Sequence, residues 1–280
     1  MTRHTLSQQE YDEFCRFLAE ASGIELGPGK QYLVSSRLGR LLDEHGLGSF
    51  AALTRRLQDG ADNALRQQVV DAMTTNETMW FRDTYPFEML KQALLPELGA
   101  GSGPLRIWSA ACSSGQEAYS ISMVVSEFNV NRPGVLRRPV EIVGTDISPS
   151  MLQIARSACY EELAVRRGLS AERLQRFFRQ RGGCWEVVPE VRQRVRFTEL
   201  NLLSSYVLLG RFDIVFCRNV LIYFSPDVKR DILRRIAQAL NPGGYLFLGG
   251  SESPSSYTDA FELRRLPQGV IYQRRPDWRP

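Results

Sequence analysis

The stretch WSAACSSGQEAYS, Trp108 to Ser120, decides how this chain reads. It follows an apolar strand candidate, LRIWSA (105–110), and leads into an apolar helix candidate. Between them, tiny side chains crowd a sharp turn that holds one glycine, Gly115. Such a turn lets a ligand come close to the backbone. In an open α/β sheet, ligands bind beyond the carboxyl ends of the strands, and the first turn meets a nucleotide at a helix N-terminus. A dinucleotide would need GxGxxG there, because its pyrophosphate touches backbone amides. Ala110-Ala111-Cys112-Ser113-Ser114-Gly115 lacks those glycines, which argues against NAD and against a P-loop.

Outward from this turn, short apolar strands alternate with amphipathic helices, the pattern of a parallel sheet. The further strand candidates are VEIVGTD (140–146), VRFTEL (195–200), FDIVFC (212–217) and YLFLGG (245–250). A helix is expected after the fourth strand, capped by Ser225, begun by Pro226 and stopped by Asn-Pro-Gly-Gly. Val228, Ile232, Leu233 and Ile236 form its apolar stripe. FELRRLPQGVIYQRR (261–275) is expected to form an antiparallel hairpin. Residues 1 to 75 differ in texture. Phe14, Phe17 and Leu18, then Leu38, Leu41 and Leu42, then Leu65, Val69, Val70 and Met73 recur at helical spacing.

Composition narrows the chemistry. At 280 residues, 43% hydrophobic and 24% charged, the chain has the balance of a soluble globular protein. No apolar run reaches the roughly 18 residues of a membrane span. The opening MTRHTLSQQEYDEF reads as neither signal nor transit peptide. Five cysteines form no CxxC pair, so reduced thiols in the cytoplasm are expected, with no metal centre. The two histidines, His4 and His45, both lie near the N-terminus, which leaves little for Ser-His-Asp, Cys-His or His-metal catalysis. A net charge of +4 does not call for nucleic acid. Locally, however, Arg156 to Arg196 holds ten arginines against five acids.

Asp146 ends the second strand, where an acid can accept both hydroxyls of a ribose. Alternatively, it caps the helix that starts at Ser148-Pro149. A nucleoside without phosphates on a close-approach turn suggests S-adenosylmethionine.

Five segments then become specific: Asn76-Glu77-Thr78-Met79-Trp80-Phe81-Arg82, WSAACSSGQEAYS, GTDIS, Asn201-Leu202-Leu203 and FDIVFCRNVLIYF. In this order they resemble the motifs of the CheR family of chemotaxis receptor methyltransferases, from about residue 10 to 272. One departure is Gly115-Gln116-Glu117-Ala118-Tyr119, where the family usually has Gly-Glu-Glu-Pro-Tyr. The resemblance implies an α/β fold: a Rossmann-like class I methyltransferase sheet with a small antiparallel β insertion, preceded by an all-α N-terminal domain. Its implied divisions are a helical receptor-recognition domain (1–75), a linker contributing to the cofactor site (76–92), and a methyltransferase domain (93–280) with the insertion at about 160–194.

The implied activity is S-adenosylmethionine-dependent O-methylation of glutamate side chains on chemoreceptor cytoplasmic helices, with S-adenosylhomocysteine as product. By resemblance, Asn76, Thr78 and Arg82 close over the cofactor and Glu117 meets its ammonium. Asp146 holds the ribose, Asn201 and Leu202 flank the adenine, and Arg218 and Asn219 complete the pocket beside the methyl group. Arg82 and Tyr223 are the candidates for positioning the acceptor oxygen. Each also has a plainer reading: Asn76 as a turn residue, Arg82 in a surface ion pair, Asn219 as a cap, Tyr223 as core. A carboxylate acceptor is already ionised at neutral pH, so the scarcity of histidine is no obstacle.

Lys30, Arg37 and Arg40 share one face of a helix, read as acid-free from 30 to 42, and are expected to face acidic receptor helices. In the insertion, Cys184-Trp185-Glu186-Val187-Val188 and the residues after it suggest a hairpin. Its Arg181-Gly182-Gly183 turn is short, which disfavours docking of a receptor tail peptide. A monomer without membrane insertion is expected. Two other readings compete: a nucleic-acid methyltransferase, opposed by the lack of any Pro-Pro, and a catalytically silent cofactor-binding adaptor.

Overall fold

In the computed structural model, residues 6–279 are described; His4 lies outside them. Four helices come first: α1 (Gln8–Ser22), α2 (Gln31–Glu44), α3 (Phe50–Gln58) and α4 (Asn63–Met73). Ser7 and Glu10 form a reciprocal capping box on α1, satisfying amides that the first turn leaves without partners. The helices bury Phe14, Leu18, Leu38, Leu42, Leu65 and Val69 in a core of their own.

Ten strands follow: β1 (Leu105–Ala110), β2 (Val140–Asp146), β3 (Cys159–Tyr160), β4 (Phe178–Arg181), β5 (Cys184–Val187), β6 (Val195–Glu199), β7 (Phe212–Cys217), β8 (Leu240–Leu248), β9 (Phe261–Leu266) and β10 (Gly269–Arg274). Seven of them build one sheet in the order β6-β2-β1-β7-β8-β10-β9. The first five in that order are parallel, while β10 runs antiparallel to both β8 and β9. Alternate side chains enter opposite layers. Leu105 and Ile107 pack on one side, Trp108 and Ala110 on the other. The chain runs outward from β1 through β2 to β6, then returns to β7 on the far side of β1. The β1–β7 junction is therefore the switch point, where open α/β sheets bind ligands.

The helix Pro226–Ala239 starts as expected, with Ser225 accepting from the Val228 amide. It stops before the Asn-Pro-Gly-Gly, which lies inside β8. The register with β7 shifts there, since Phe212 pairs with Leu240 and Ile214 with Tyr245, so the extra residues bulge out of β8. β8, the strand expected at 245–250, thus runs 240–248.

The insertion corrects two expectations. Cys184–Val187 pairs with the preceding Phe178–Arg181, and the residues after it form a short helix, Pro189–Arg192. Arg181-Gly182-Gly183 is the reversal: both glycines have positive φ, and the strand β3 pairs on the other edge of β5. That pairing also brings Cys159 and Cys184 together as a disulfide with their Cα atoms 5.8 Å apart, where free thiols were expected. Cys15, Cys112 and Cys217 remain free.

Gly168 is the tightest point in the insertion. It has φ +98°, and a Cβ there would overlap the carbonyl oxygen of Trp80. Gly182 has φ +57° but open space around it. Gly168→Ala combines backbone strain with overpacking and is expected to lower stability by about 2–5 kcal/mol. Gly182→Ala carries only the strain of a left-handed alanine, about 1 kcal/mol. Thermal unfolding of the two variants checks this, and equal losses would disprove the Trp80 contact.

Candidate functional site

The first turn is bent by left-handed residues at alternate positions: Ala111 (φ 55°), Ser113 (φ 50°) and Gly115 (φ 91°). Such alternation turns successive amides toward one side. The Ser113 amide donates to Asp146 Oδ2 at 2.7 Å, and Asp146 Oδ1 accepts from the Ser148 amide at 2.9 Å. The cap of the helix Pro149–Ser157 is Ser148, whose hydroxyl accepts from the Met151 amide, so Asp146 is not the cap; it ties the turns after β1 and β2 together and lines the pocket beside them. Only Gly115 needs to be glycine for space: a Cβ would stand 2.9 Å from Ala155 Cβ and 3.0 Å from the Phe197 ring. Burial pushes the Asp146 carboxyl above its usual range, against the amide donation of Ser148 and Ser113.

The pocket holds about 320 Å³, within the range of small-ligand sites. The turn after β1, the end of β2, residues 73–79 from the end of α4 into the linker, and the loop after β7 all line it. A further wall comes from the end of α1 and the segment after it, including Ser22, Ile24 and Gly27, which the sequence had not singled out. The N-terminal helices are tied down around it. Asn201 Nδ2 donates to the Ala21 carbonyl at 2.8 Å, the Glu25 amide to the Tyr223 carbonyl at 2.9 Å, and Gln67 Nε2 to the Ile147 carbonyl at 2.9 Å.

The structure gathers Asn76, Thr78, Arg82, Glu117, Asp146, Asn201, Leu202, Arg218, Asn219 and Tyr223 around this one cavity. Asn76 donates to Thr74 Oγ1, and its carbonyl accepts from Ser113 Oγ at 3.0 Å, fastening the linker to the first turn. Asn201 donates from Nδ2 to the Ala21 carbonyl and accepts the Leu203 amide at Oδ1, which fixes its side chain at the cavity border. Asn219 is left-handed (φ 59°), and its amide donates to Glu252 Oε2 at 2.8 Å. Glu252 also accepts from the Gly249 amide at 2.7 Å, which holds the loops after β7 and β8 together.

Arg218 is a deeply placed charge, with its side chain 1% exposed. Its guanidinium reaches Glu117 at 2.8 Å, Asp83 at 2.6 Å and the Arg82 carbonyl at 2.9 Å. Glu117 also accepts from Ser109 Oγ at 2.7 Å. Asp83 and Glu252 are the main residues that sequence reasoning missed. Asp83 directly follows the motif block, whereas a lone acid in the loop after β8 carries no local signal.

The three basic candidates do not form one outward face. Lys30 and Arg37 line the cavity and Arg40 does not. Arg37 reaches back to the carbonyls of Met73 and Thr74 at 2.7 and 3.0 Å. The helix also runs past residue 42 to Glu44, and that acid pairs with Arg40 at 2.6 Å. Seven-and-three spacing sets a face, but carbonyls from another helix decide where a long side chain goes.

The cavity suits a nucleoside carrying a charged tail. Asp146 keeps lone pairs beyond its two amide donors, as an ionised carboxylate offers about four. Small residues line the turn, and Arg218 Nε is buried with no hydrogen-bond partner, a spare donor beside the cavity. Among the described residues, no group of His, Cys, Asp and Glu could hold a metal ion, and no helix is long and apolar enough to cross a membrane.

Comparisons with known proteins agree with this geometry. The profile of the CheR methyltransferase, SAM binding domain, matches residues 76–270, and that of the CheR methyltransferase, all-alpha domain, matches residues 9–74. Chemotaxis protein methyltransferase 1 of Pseudomonas aeruginosa is 55% identical, over 94% of this chain and 97% of its own length. Chemotaxis protein methyltransferase Cher2 of Pseudomonas putida is 54% identical with the same coverage. Chemotaxis protein methyltransferase 1 of Vibrio cholerae is 53% identical, over 98% of this chain and 99% of its own.

Proposed function

Since this chain belongs to the CheR methyltransferase family, with a SAM-binding catalytic domain behind an all-alpha domain, we propose that it converts glutamate side chains on chemoreceptor cytoplasmic helices to methyl esters. The observation that carries this reading is a cofactor-sized cavity at the switch point, with Arg82 and Tyr223 on its wall and no histidine among its lining residues.

S-adenosylmethionine, when bound, supplies an electrophilic methyl group on a sulfonium. Asp146 would hold the ribose, Leu202 and the Asn201 backbone the adenine, and Glu117 the ammonium, a charge-assisted contact. Asn76, Thr78 and Arg82 would close over it, with Arg218 and Asn219 beside the methyl group. A glutamate acceptor, with pKa near 4.3, is ionised at neutral pH and requires no general base. Joining a carboxylate to a sulfonium methyl removes both charges, so water, which stabilises the separated ions, slows the step. The protein's task is to exclude that water and aim the oxygen. Arg218 is neutralised by Glu117 and Asp83. Arg82 makes one long contact, 3.3 Å to the Glu77 carbonyl, and is free to turn toward an acceptor. An acidic receptor helix would approach past Lys30 at the cavity mouth, in the cytoplasm, without a tail-peptide tether.

Incubation with methyl-labelled S-adenosylmethionine and receptor-bearing membranes tests the proposal. Alkali should release the label as methanol; label that resists alkali, or that RNA captures in competition, would refute it. Tyr223→Phe should lower turnover roughly 10- to 100-fold, the worth of one hydrogen bond to a charged group, while affinity for S-adenosylhomocysteine changes less than about twofold. The reverse split in single-turnover kinetics and calorimetry would move Tyr223 from the acceptor to the cofactor.

A further inference from the structure

The bend that carries Arg82 is unusual. Phe81 (φ 50°), Asp83 (φ 65°) and Thr84 (φ 52°) are all left-handed without being glycine. Each such residue is held only where its surroundings over-determine it. On one side the hold is Arg218, which takes the Arg82 carbonyl and the Asp83 carboxylate. On the other it is the insertion. The Trp80 amide donates to the Arg167 carbonyl and its indole to the Ala164 carbonyl, both at 3.1 Å. The Trp80 ring meets Tyr160 and Phe178 edge-on, with centroids 4.9 and 5.1 Å apart.

Arg173 completes this grip. Its guanidinium carbon lies 3.7 Å from the centroid of the Phe81 ring, which is 4% exposed. The same guanidinium donates twice to Glu127, at 2.7 and 3.2 Å. Glu127 in turn takes Lys91 Nζ at 2.9 Å. A planar group fixed along one edge by two hydrogen bonds cannot slide on the ring beneath it. Phe81 is the residue immediately before Arg82.

Taking the methyl-transfer reading as its basis, we infer that Arg173 is a positioning residue: through Phe81 it sets where the Arg82 side chain enters the cavity, so the insertion controls turnover as well as shape. Any load on the insertion then reaches the reacting oxygen through two adjacent residues.

The test uses the full chain with Arg173→Met and Arg173→Lys, each made alone and with Arg82→Ala. Glu127 keeps Lys91 when Arg173 is gone, so the variants are not left with an orphaned buried carboxylate. Arg173→Met should lower kcat for receptor methylation roughly tenfold, the scale of a desolvated cation–ring contact. Affinity for S-adenosylhomocysteine should stay within about threefold, because Arg173 touches no residue of the ribose site. Arg173→Lys, which keeps a cation over the ring, should recover most of the loss. In the Arg82→Ala background, Arg173→Met should change kcat less than about twofold, because the two residues act as one unit. Amide hydrogen exchange at residues 80–84 should rise in Arg173→Met, and exchange in α1–α4 should not. Equal proportional losses in both backgrounds, or unchanged exchange at 80–84, would overturn the proposal. If the unmodified protein does not methylate receptors, the function reading fails, and exchange at 80–84 still decides whether Arg173 holds the bend.

Discussion

Arg218→Met is expected to destabilise the protein by about 3–5 kcal/mol, the cost of removing one partner from a buried ion pair. The reason is geometric. Glu117, whose side chain is 14% exposed, keeps only Ser109 as partner once the guanidinium is gone. Asp83 is 44% exposed, so water replaces its share of the contact and it adds little to the loss. The unfolding midpoint should fall by roughly 6–15 °C. Affinity for the cofactor product should fall as well, because Glu117 and the Arg82 carbonyl lose their common anchor. Arg218→Met with Glu117→Gln removes the stranded charge and should regain much of the stability, because no uncompensated carboxylate remains. A single variant that melts with the unmodified protein, or a double variant that melts lower than the single one, would show that this pair does not hold the site.

Asp146→Ala should weaken binding of S-adenosylmethionine and S-adenosylhomocysteine roughly 30- to 150-fold. Two ribose hydrogen bonds would be lost, at about 1–1.5 kcal/mol each. The amides of Ser113 and Ser148 also lose their acceptor, so the left-handed turn should loosen in the same variant. Calorimetry on folded protein checks the affinity, and an unchanged value removes the ribose assignment. A pH series adds a second check. Burial raises the Asp146 carboxyl, so the folded chain binds this proton more tightly than the unfolded one. Its contribution to stability is therefore full below the unfolded pKa and disappears as pH rises through the raised, folded value. Ribose hydroxyls donate to the ionised form. Cofactor affinity is thus expected to decline as pH falls through that raised value, while the fold itself gains from the same protonation.

Much of the molecule is written locally in its sequence. The strand–turn–helix at Trp108–Ser120, the capped helix from Pro226 and the closing hairpin follow from side-chain period, caps and turn residues. These signals act between residues a few positions apart, so one chain read in order suffices. Of the candidate cofactor residues, Asp146 could be read from its place at a strand end, because topology brings the ends of β1, β2 and β7 together; the others came from the family resemblance, and the fold gathers them around one cavity. Long charged side chains were not legible. Arg37 turns under to the carbonyls at the end of α4, Arg218 chooses Asp83 from 135 positions away, and Glu252 joins two loops. The insertion's strand order and the Cys159–Cys184 pair were equally hidden. Spacing along the chain fixes which face a residue occupies. Where a flexible guanidinium or a lone carboxylate finds its partner depends on which carbonyls, rings and charges the rest of the fold leaves within reach, and only the tertiary structure decides that.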